Sequence, residues 1–335
     1  MNQILFRGIG EEGQDKIAEG RVCIVGCGAL GTMVAIGLAR AGAGHIRIID
    51  RDFVELKNLH RQVLFDEEDV RKIMPKAAAA EKKLRKANSS IHVEGIVSDL
   101  NHLNAEELLK NILVIVDGTD NFETRFLINE FSIKHSIPWI YGAAVGSYGL
   151  TLDVLPGESP CLKCIFETSP PPGLLATCDT AGIVPSVTSV IGSIQCVETL
   201  KILSGNGAKL NRFITAIDVW EGTFQRIKLV KERHDCPVCD AKVFPLLAGE
   251  GISLGVNLCG RNSVQIRSGM HSTTIDLLSL KEKIQRITSV YYNGFLLRMS
   301  LEGFEVTVFP DGRAIIGGTD DPVRARSIYS KYIGN

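Results

Sequence analysis

Hydrophobic positions along the chain fall into short apolar runs that alternate with longer stretches of helical spacing, the signature of strands alternating with helices. Val22-Cys23-Ile24-Val25 is unbroken and apolar, the right length for a strand buried on both faces. Ala29 to Ala41 is rich in Ala and Leu and predicts a helix, ended by Ala43-Gly44. Ile46 to Ile49 is a second strand that closes on Asp50. Further strands are expected at Ile91–Val97, Ile112–Val116, Pro138–Ala144, Leu150–Leu155, Phe213–Asp218 and Thr223–Val230. The run at 112–116 is fully apolar and is therefore expected to be central. Helices are expected over Glu106–Lys110, Phe122–His135 and Ser186–Leu203; the last is nearly all apolar, which predicts burial against the sheet or a partner subunit. Residues 1–20 read as a short helix or arm. Arg71 to Lys86 reads as one basic helix whose charges mostly form a solvated face.

From about residue 243 the period changes to two. Val264 to Arg267, Ser289 to Tyr292, Leu296 to Met299, Glu305 to Phe309 and Arg313 to Ile316 alternate like half-exposed strands, with helices at Leu277–Ile287 and Pro322–Tyr332. The chain thus divides into residues 1–242 and 243–335. The first part predicts a Rossmann-like, doubly wound α/β fold with a mostly parallel sheet; the second is a small α+β domain without a catalytic cluster.

The first turn carries chemistry. Gly26, Gly28 and Gly31 stand in G-x-G-x-x-G spacing between a strand and a helix, and Asp50 ends the next strand nineteen residues on. Glycines let backbone amides approach a phosphate, the helix start at Ala29 adds partial positive charge, and a carboxylate at Asp50 can accept both ribose hydroxyls. This pattern fits a dinucleotide such as NAD as well as ATP. Lys76 follows Pro75, so it can occupy the first helical turn and aim back toward the sheet. The fourth strand runs into Asp117-Gly118-Thr119-Asp120-Asn121, at the carboxyl end where ligands of open α/β sheets bind. Acids placed there are better explained by function than by packing.

The 335 residues suffice for one large core and a smaller domain. A net charge of -1 gives no general attraction to nucleic acid or anionic membrane. No apolar run approaches the roughly 18 residues a bilayer span needs, and the first residues lack a signal-peptide pattern, so a cytosolic protein is expected. There, the nine cysteines suit metal ligation, reactive thiols or small core positions better than disulfides. Cys161-x-x-Cys164 and Cys236-x-x-Cys239 each place two thiolates on one tight turn, as a tetrahedral Zn²⁺ site needs; metal would staple segments 72 residues apart. Four thiolates leave no open position, which makes the site structural.

Taken together, G-C-G-A-L-G, the I-I-D-R-D-x-V-E-x-x-N-L-x-R-Q run at 48–62, Pro75-Lys76, D-G-T-D-N at 117–121 and the paired C-x-x-C motifs resemble the ThiF/MoeB/HesA family, bacterial relatives of the ubiquitin-activating enzymes. The likeness covers roughly residues 3–240. It implies ATP-dependent adenylation of the C-terminal glycine of a small ubiquitin-like sulfur carrier, in thiamin or molybdenum-cofactor biosynthesis, by a homodimer. It further implies that Asp50 holds the ribose and that Gly26, Gly28, Ala29 and Gly31 approach the phosphates. Asn58, Arg61 and Lys76 would neutralise them, with Asp52, Gln62 and Asn121 beside the nucleotide. Asp120 would bind Mg²⁺, a hard cation that prefers carboxylate oxygen.

Cys178, in T-C-D-T-A-G after a Pro-rich crossing segment, stands where family members can carry a thiol for sulfur transfer; a reactive and a passive role both remain open. Cys23 and Cys196 read as core residues, Cys27 as a tolerated residue of the glycine loop, and Cys259 suggests a persulfide site only weakly. The family pattern places an arginine just before Q-I-L; here Asn2 stands in that slot and Arg7 lies a few residues on. Two rivals keep their own logic. A nicotinamide-dependent dehydrogenase fits the glycine turn but has no use for the Arg61, Lys76 and Asp120 set. A non-catalytic scaffold could bind nucleotide and a β-grasp partner without joining them.

Overall fold

The computed structural model describes residues 2–168, 178–230, 235–250, 255–258, 262–266 and 275–334. The chain forms two compact units, Met1–Glu250 and Gly251–Asn335.

The first unit is built on strands β1 (Arg21–Val25), β2 (His45–Asp50), β3 (His92–Val97), β4 (Val114–Asp117), β5 (Trp139–Val145), β6 (Tyr148–Val154), β7 (Phe213–Asp218) and β8 (Thr223–Lys228). They lie in the order β3-β2-β1-β4-β5-β6-β7-β8. β1 to β5 are mutually parallel, and β6, β7 and β8 extend the sheet antiparallel. The helices are α1 (Gly10–Glu19), α2 (Ala29–Ala41), α3 (Glu67–Arg71), α4 (Lys76–Ala87), α5 (Ala105–Leu108), α6 (Phe122–His135), α7 (Leu162–Ile165), α8 (Cys178–Ala181) and α9 (Pro185–Leu203).

Two cores show why β1 reads as continuously apolar. Val22 and Ile24 face one side, with Val34 and Leu38 of α2, Ala80 and Leu84 of α4 and Leu203 of α9. Cys23 and Val25 face the other, with Phe126 and Phe131 of α6. Both faces are covered, so alternation has no meaning there and the strand is apolar throughout. The long helix α9 packs on α2 and on β5 and β6. The approach is close: a Cβ on Gly192 would sit 2.7 Å from the Met33 Cβ, and one on Gly37 2.8 Å from the Cys196 Sγ. Cys23 and Cys196 are buried core residues, as their apolar surroundings in the sequence suggest.

The single basic helix expected over 71–86 is two helices. α3 starts earlier, at Glu67, where Asp66 accepts the Glu68 and Asp69 amides in a reciprocal capping box. Pro75 cannot continue a helix from the preceding turn but can open one, so α4 begins afresh at Lys76. The first unit also runs eight residues past 242, because Phe244, Leu246 and Leu247 pack on its second core and the Leu247 amide donates to Glu130.

The second unit carries a six-stranded antiparallel sheet, from β9 (Gly255–Leu258) and β10 (Ser263–Ile266) to β11 (Val290–Tyr292), β12 (Leu297–Leu301), β13 (Phe304–Val308) and β14 (Ala314–Gly317). Its order is β11-β12-β13-β14-β10-β9. Helices α10 (Leu277–Ile284) and α11 (Pro322–Tyr332) contribute Leu280, Ile284, Ala325 and Ile328 to a core with Val264, Val306 and Ile316. The sequence pattern does not mark β9. Among the described residues, no helix is long and apolar enough to cross a membrane.

Candidate nucleotide site and cysteine cluster

The strand order reverses direction between β1 and β4, and in such sheets the crevice beyond the carboxyl ends at the reversal takes the ligand. Val25, Asp50 and Asp117 end β1, β2 and β4 there. The turn after β1 folds as its glycines require. Gly26 has φ +89°, and a Cβ on it would lie 2.6 Å from the Gly118 carbonyl. A Cβ on Gly31 would lie 1.9 Å from the Gly26 oxygen, and one on Gly118 2.4 Å from it. Gly118 is thus the third partner of the turn, a role its place in D-G-T-D-N does not reveal. Gly28 precedes α2 with no side-chain cap, so the helix start presents its amides unblocked by protein side chains.

Asp50 anchors this turn. Its carboxylate accepts the Cys27 amide at 2.6 Å and the Asp52 amide at 2.7 Å. Burial pushes its pKa up, while the nearby Lys76 charge draws it back. Lys76 is 5% exposed and opens α4, held twice by Asp52: its amide donates to the Asp52 carbonyl at 2.8 Å, and its Nζ to Oδ2 at 3.1 Å. This fixes a buried ammonium near the Asp50 carboxylate. Arg51, just past the end of β2, donates to Asp99 at 3.1 Å and carries attraction to Asp52 and Asp120.

The loop after β2 brings Asn58 and Gln62 inward; both are 3% exposed. Among the described residues, the Asn58 Oδ1 and the Gln62 Oε1 are buried without a hydrogen-bond partner, which leaves two acceptors unsatisfied beside the turn. The Gln62 side-chain amide lies 3.9 Å from where a Gly28 Cβ would stand, close to the glycine turn. Arg61 lies on the same loop, half-buried, its guanidinium near the Lys57 carbonyl at 3.4 Å and the His60 ring at 3.5 Å. Among the described residues it makes no ion pair, and no contact ties it to Lys76 or Asp120.

The loop after β4 corrects one expectation. Asp117 is 0% exposed and serves the fold, not a ligand: it is paired with Arg125, whose Nε donates to Oδ2 at 2.9 Å, and its Oδ1 accepts the Thr119 amide and hydroxyl. A strand-end acid with a buried cationic partner in the first turn of the next helix is a brace. Asp120, by contrast, is exposed. Asn121 caps α6 by accepting the Thr124 amide at 2.9 Å. Arg125 and Gln195 carry no motif of their own inside their helices, so sequence reading misses them. Gln195 Nε2 donates to the Asp117 carbonyl at 2.7 Å and to the Ile140 carbonyl at 3.2 Å.

A profile of the ThiF family matches residues 1–238. The chain belongs to the ThiF family. Among the similar members is the "Sulfur carrier protein ThiS adenylyltransferase" of Bacillus subtilis (strain 168), 44% identical over 334 residues, covering 99% of this chain and 98% of that protein. Another is the "Sulfur carrier protein adenylyltransferase" of Thermus thermophilus, 36% identical over 242 residues, 71% of this chain and 88% of that one. A solved structure of E. coli MccB with ATP superposes with a TM-score of 0.60 at 24% identity, over 68% of this chain and 69% of that one; it supports the ThiF-type fold.

The four cysteines of the paired ThiF-family motifs converge. Sγ separations are 3.8 Å for Cys161 and Cys164, 3.7 Å for Cys161 and Cys236, and 3.4 Å for Cys164 and Cys239; all four sulfurs lie within 4.8 Å of one another. Disulfide sulfurs sit at about 2 Å, whereas sulfurs about 2.3 Å from a shared tetrahedral metal are roughly 3.8 Å apart. The cluster can therefore hold a metal. Burial, with the neighbouring sulfurs of Cys239 and Cys236, pushes the Cys161 thiol up to about 12, so four thiolates need a cation among them. Cys178 opens α8; its side chain lies outside what the structure describes, as does the whole of Cys259.

Proposed function

We propose that this protein uses ATP to adenylate the C-terminal glycine of a ubiquitin-like sulfur-carrier protein, in thiamin or molybdenum-cofactor biosynthesis. The observation that carries this reading is the set at the carboxyl ends of β1, β2 and β4: the glycine turn, Asp50, the Lys76–Asp52 pair and the Asp120 loop. The printed names of its relatives support it. Asp50 accepts from the ribose hydroxyls, and the turn at Gly26 to Gly31 with the start of α2 at Ala29 approaches the phosphates. Lys76, with Arg61, offsets triphosphate charge, while Asn58, Gln62 and Asn121 line the crevice. Asp120, an exposed carboxylate at the crevice, suits a Mg²⁺ ion, which supplies charge neutralisation to the phosphate oxygens when bound.

The chemistry needs positioning more than covalent help. A carrier carboxylate oxygen attacks the α-phosphorus, the bond to the bridging oxygen breaks, and pyrophosphate leaves with that electron pair. The product is an acyl-adenylate. Lys76 is well suited because Asp52 holds it from two sides before ATP arrives, so no reorganisation is needed as charge develops.

The cysteine cluster is read as a structural Zn²⁺ site, with Cys161, Cys164, Cys236 and Cys239 as ligands. For the second domain, expected from residue 243 onward, no role is proposed. Cys178 is proposed as the thiol that meets the activated carrier; a Cys178→Ser form should adenylate normally yet lose sulfur transfer. A cytosolic homodimer is proposed, with the exposed positions Ser186, Val190, Ser193 and Val197 along α9 offering one face to a second copy. Carrier-dependent pyrophosphate release with ATP and Mg²⁺ tests the reading. If neither the thiamin nor the molybdopterin carrier of the source organism supports release, it is wrong; selective stabilisation by NAD would favour a dehydrogenase, and binding without release a scaffold.

A further inference from the structure

We infer that Arg125 is a positioning residue for Asp120: it sets the loop that carries this carboxylate and through it the rate of adenylation. The inference rests on the reading that Asp120 acts on the nucleotide. Arg125 is 5% exposed, and its guanidinium spans three segments at once. Nε donates to the Asp117 carboxylate at 2.9 Å, and Nη2 donates to the Thr119 carbonyl at 2.7 Å and the Gly142 carbonyl at 2.8 Å. The guanidinium carbon also lies 4.7 Å from the Tyr141 ring centroid and 5.4 Å from that of Phe122.

A brace for folding alone would need only the Asp117 pair. The second nitrogen instead reaches the carbonyl of Thr119, the residue just before Asp120. On the other side, Asn121 is locked as the cap of α6, the helix that bears Arg125. Gly118 is wedged against Gly26 and Gly31. Gln195 holds the Asp117 carbonyl from α9. Every neighbour of Asp120 in the loop is therefore pinned, and two of the pins converge on one side chain. A planar fork can make these bonds together; an ammonium is a point charge with different directions.

The test compares Arg125→Lys with the full wild-type chain, beside Asp120→Asn. Thermal midpoint, amide hydrogen exchange at residues 118–121, calorimetric ATP–Mg²⁺ binding and carrier-dependent pyrophosphate release are measured together. Lysine keeps the charge beside Asp117, so the fold is expected to persist. The amides of 118–121 should exchange about 10-fold faster or more. The kcat should fall about 10-fold or more while the KM for ATP changes by less than about threefold, because a displaced loop costs the transition state more than binding. Unchanged exchange, or unchanged kcat with a loosened loop, overturns the inference. Should the lysine form not fold, the double form Asp117→Asn, Arg125→Met removes the buried charges as a pair and is held to the same two outcomes. If Asp120→Asn leaves the wild-type rate intact, it is the role of Asp120 that fails, while the exchange comparison still reads the loop.

Discussion

The Asp50 carboxylate and the Cys27 amide meet at 2.6 Å, joining the end of β2 to the glycine turn that follows β1. One side chain therefore shapes the loop, and in the function proposed above it also accepts from the ribose. Replacing it with alanine removes the acceptor of two backbone amides, Cys27 and Asp52, and should cost about 1–3 kcal/mol of stability, read by urea denaturation. The KM for ATP should also rise about 10- to 100-fold, since bonds to a charged acceptor are worth about 1.5–3 kcal/mol. A stable Asp50→Ala protein with unchanged KM would remove Asp50 from the site.

Lys76 is the second test. Asp52 holds its ammonium at 3.1 Å at the first turn of α4. Lys76→Met keeps the stem and deletes the charge. The kcat for pyrophosphate release should drop about 10²- to 10³-fold, the usual cost of losing one preorganised charge donor. Steady-state kinetics at saturating ATP decides it; a loss confined to KM would make Lys76 a binding residue only.

The cysteine cluster makes a prediction about composition. Elemental analysis should find one zinc per chain, and Cys239→Ser should lose it. The thermal midpoint should then fall by roughly 5–10 °C, a loss of a few kcal/mol in a unit of this size. Full retention of the midpoint without metal would reduce the cluster to four packed thiols.

Away from the crevice, Asp153 and Glu198 are buried together, and both accept the Asn211 amide, at 3.0 and 3.1 Å. Lys201 donates to Glu198 at 2.6 Å. Burial, then the Glu198 charge, pushes Asp153 from its ordinary 3.8 to about 8. The folded pKa is the higher one, so the folded state binds the extra proton. The contribution is fully present below about 4 and is lost as pH rises toward about 8, with a slope of about 1.4 kcal/mol per pH unit for one proton. Asp153→Asn should remove this slope from denaturation curves taken between those limits. An identical slope in the variant contradicts the assignment.

Much of this is legible in the chain because local patterns and local physics agree. Ala29–Ala41 and Phe122–His135 are helices over the limits the sequence suggests, since a glycine turn precedes one and an Asn cap the other. The convergence of the C-x-x-C pairs is readable because thiol spacing constrains geometry. What escapes is tertiary. Asp117 reads as a ligand-facing acid because its partner, Arg125, lies in the next helix and its second brace, Gln195, is 78 residues away. The break between α3 and α4 falls at Ile73-Met74-Pro75, three uncharged residues inside an otherwise basic stretch that reads as helical on both sides. β9 has too few alternating positions to stand out from its surroundings.

The central claim is that this crevice joins AMP to a protein's C-terminal carboxylate. Mass spectrometry of the thiamin and molybdopterin carriers after incubation with this protein, ATP and Mg²⁺ reads it directly. One carrier should gain the mass of a single adenylyl group (AMP less one water), reversed by added pyrophosphate and absent with the Lys76→Met form. Unmodified carriers of both kinds, with ATP bound and intact, would contradict it.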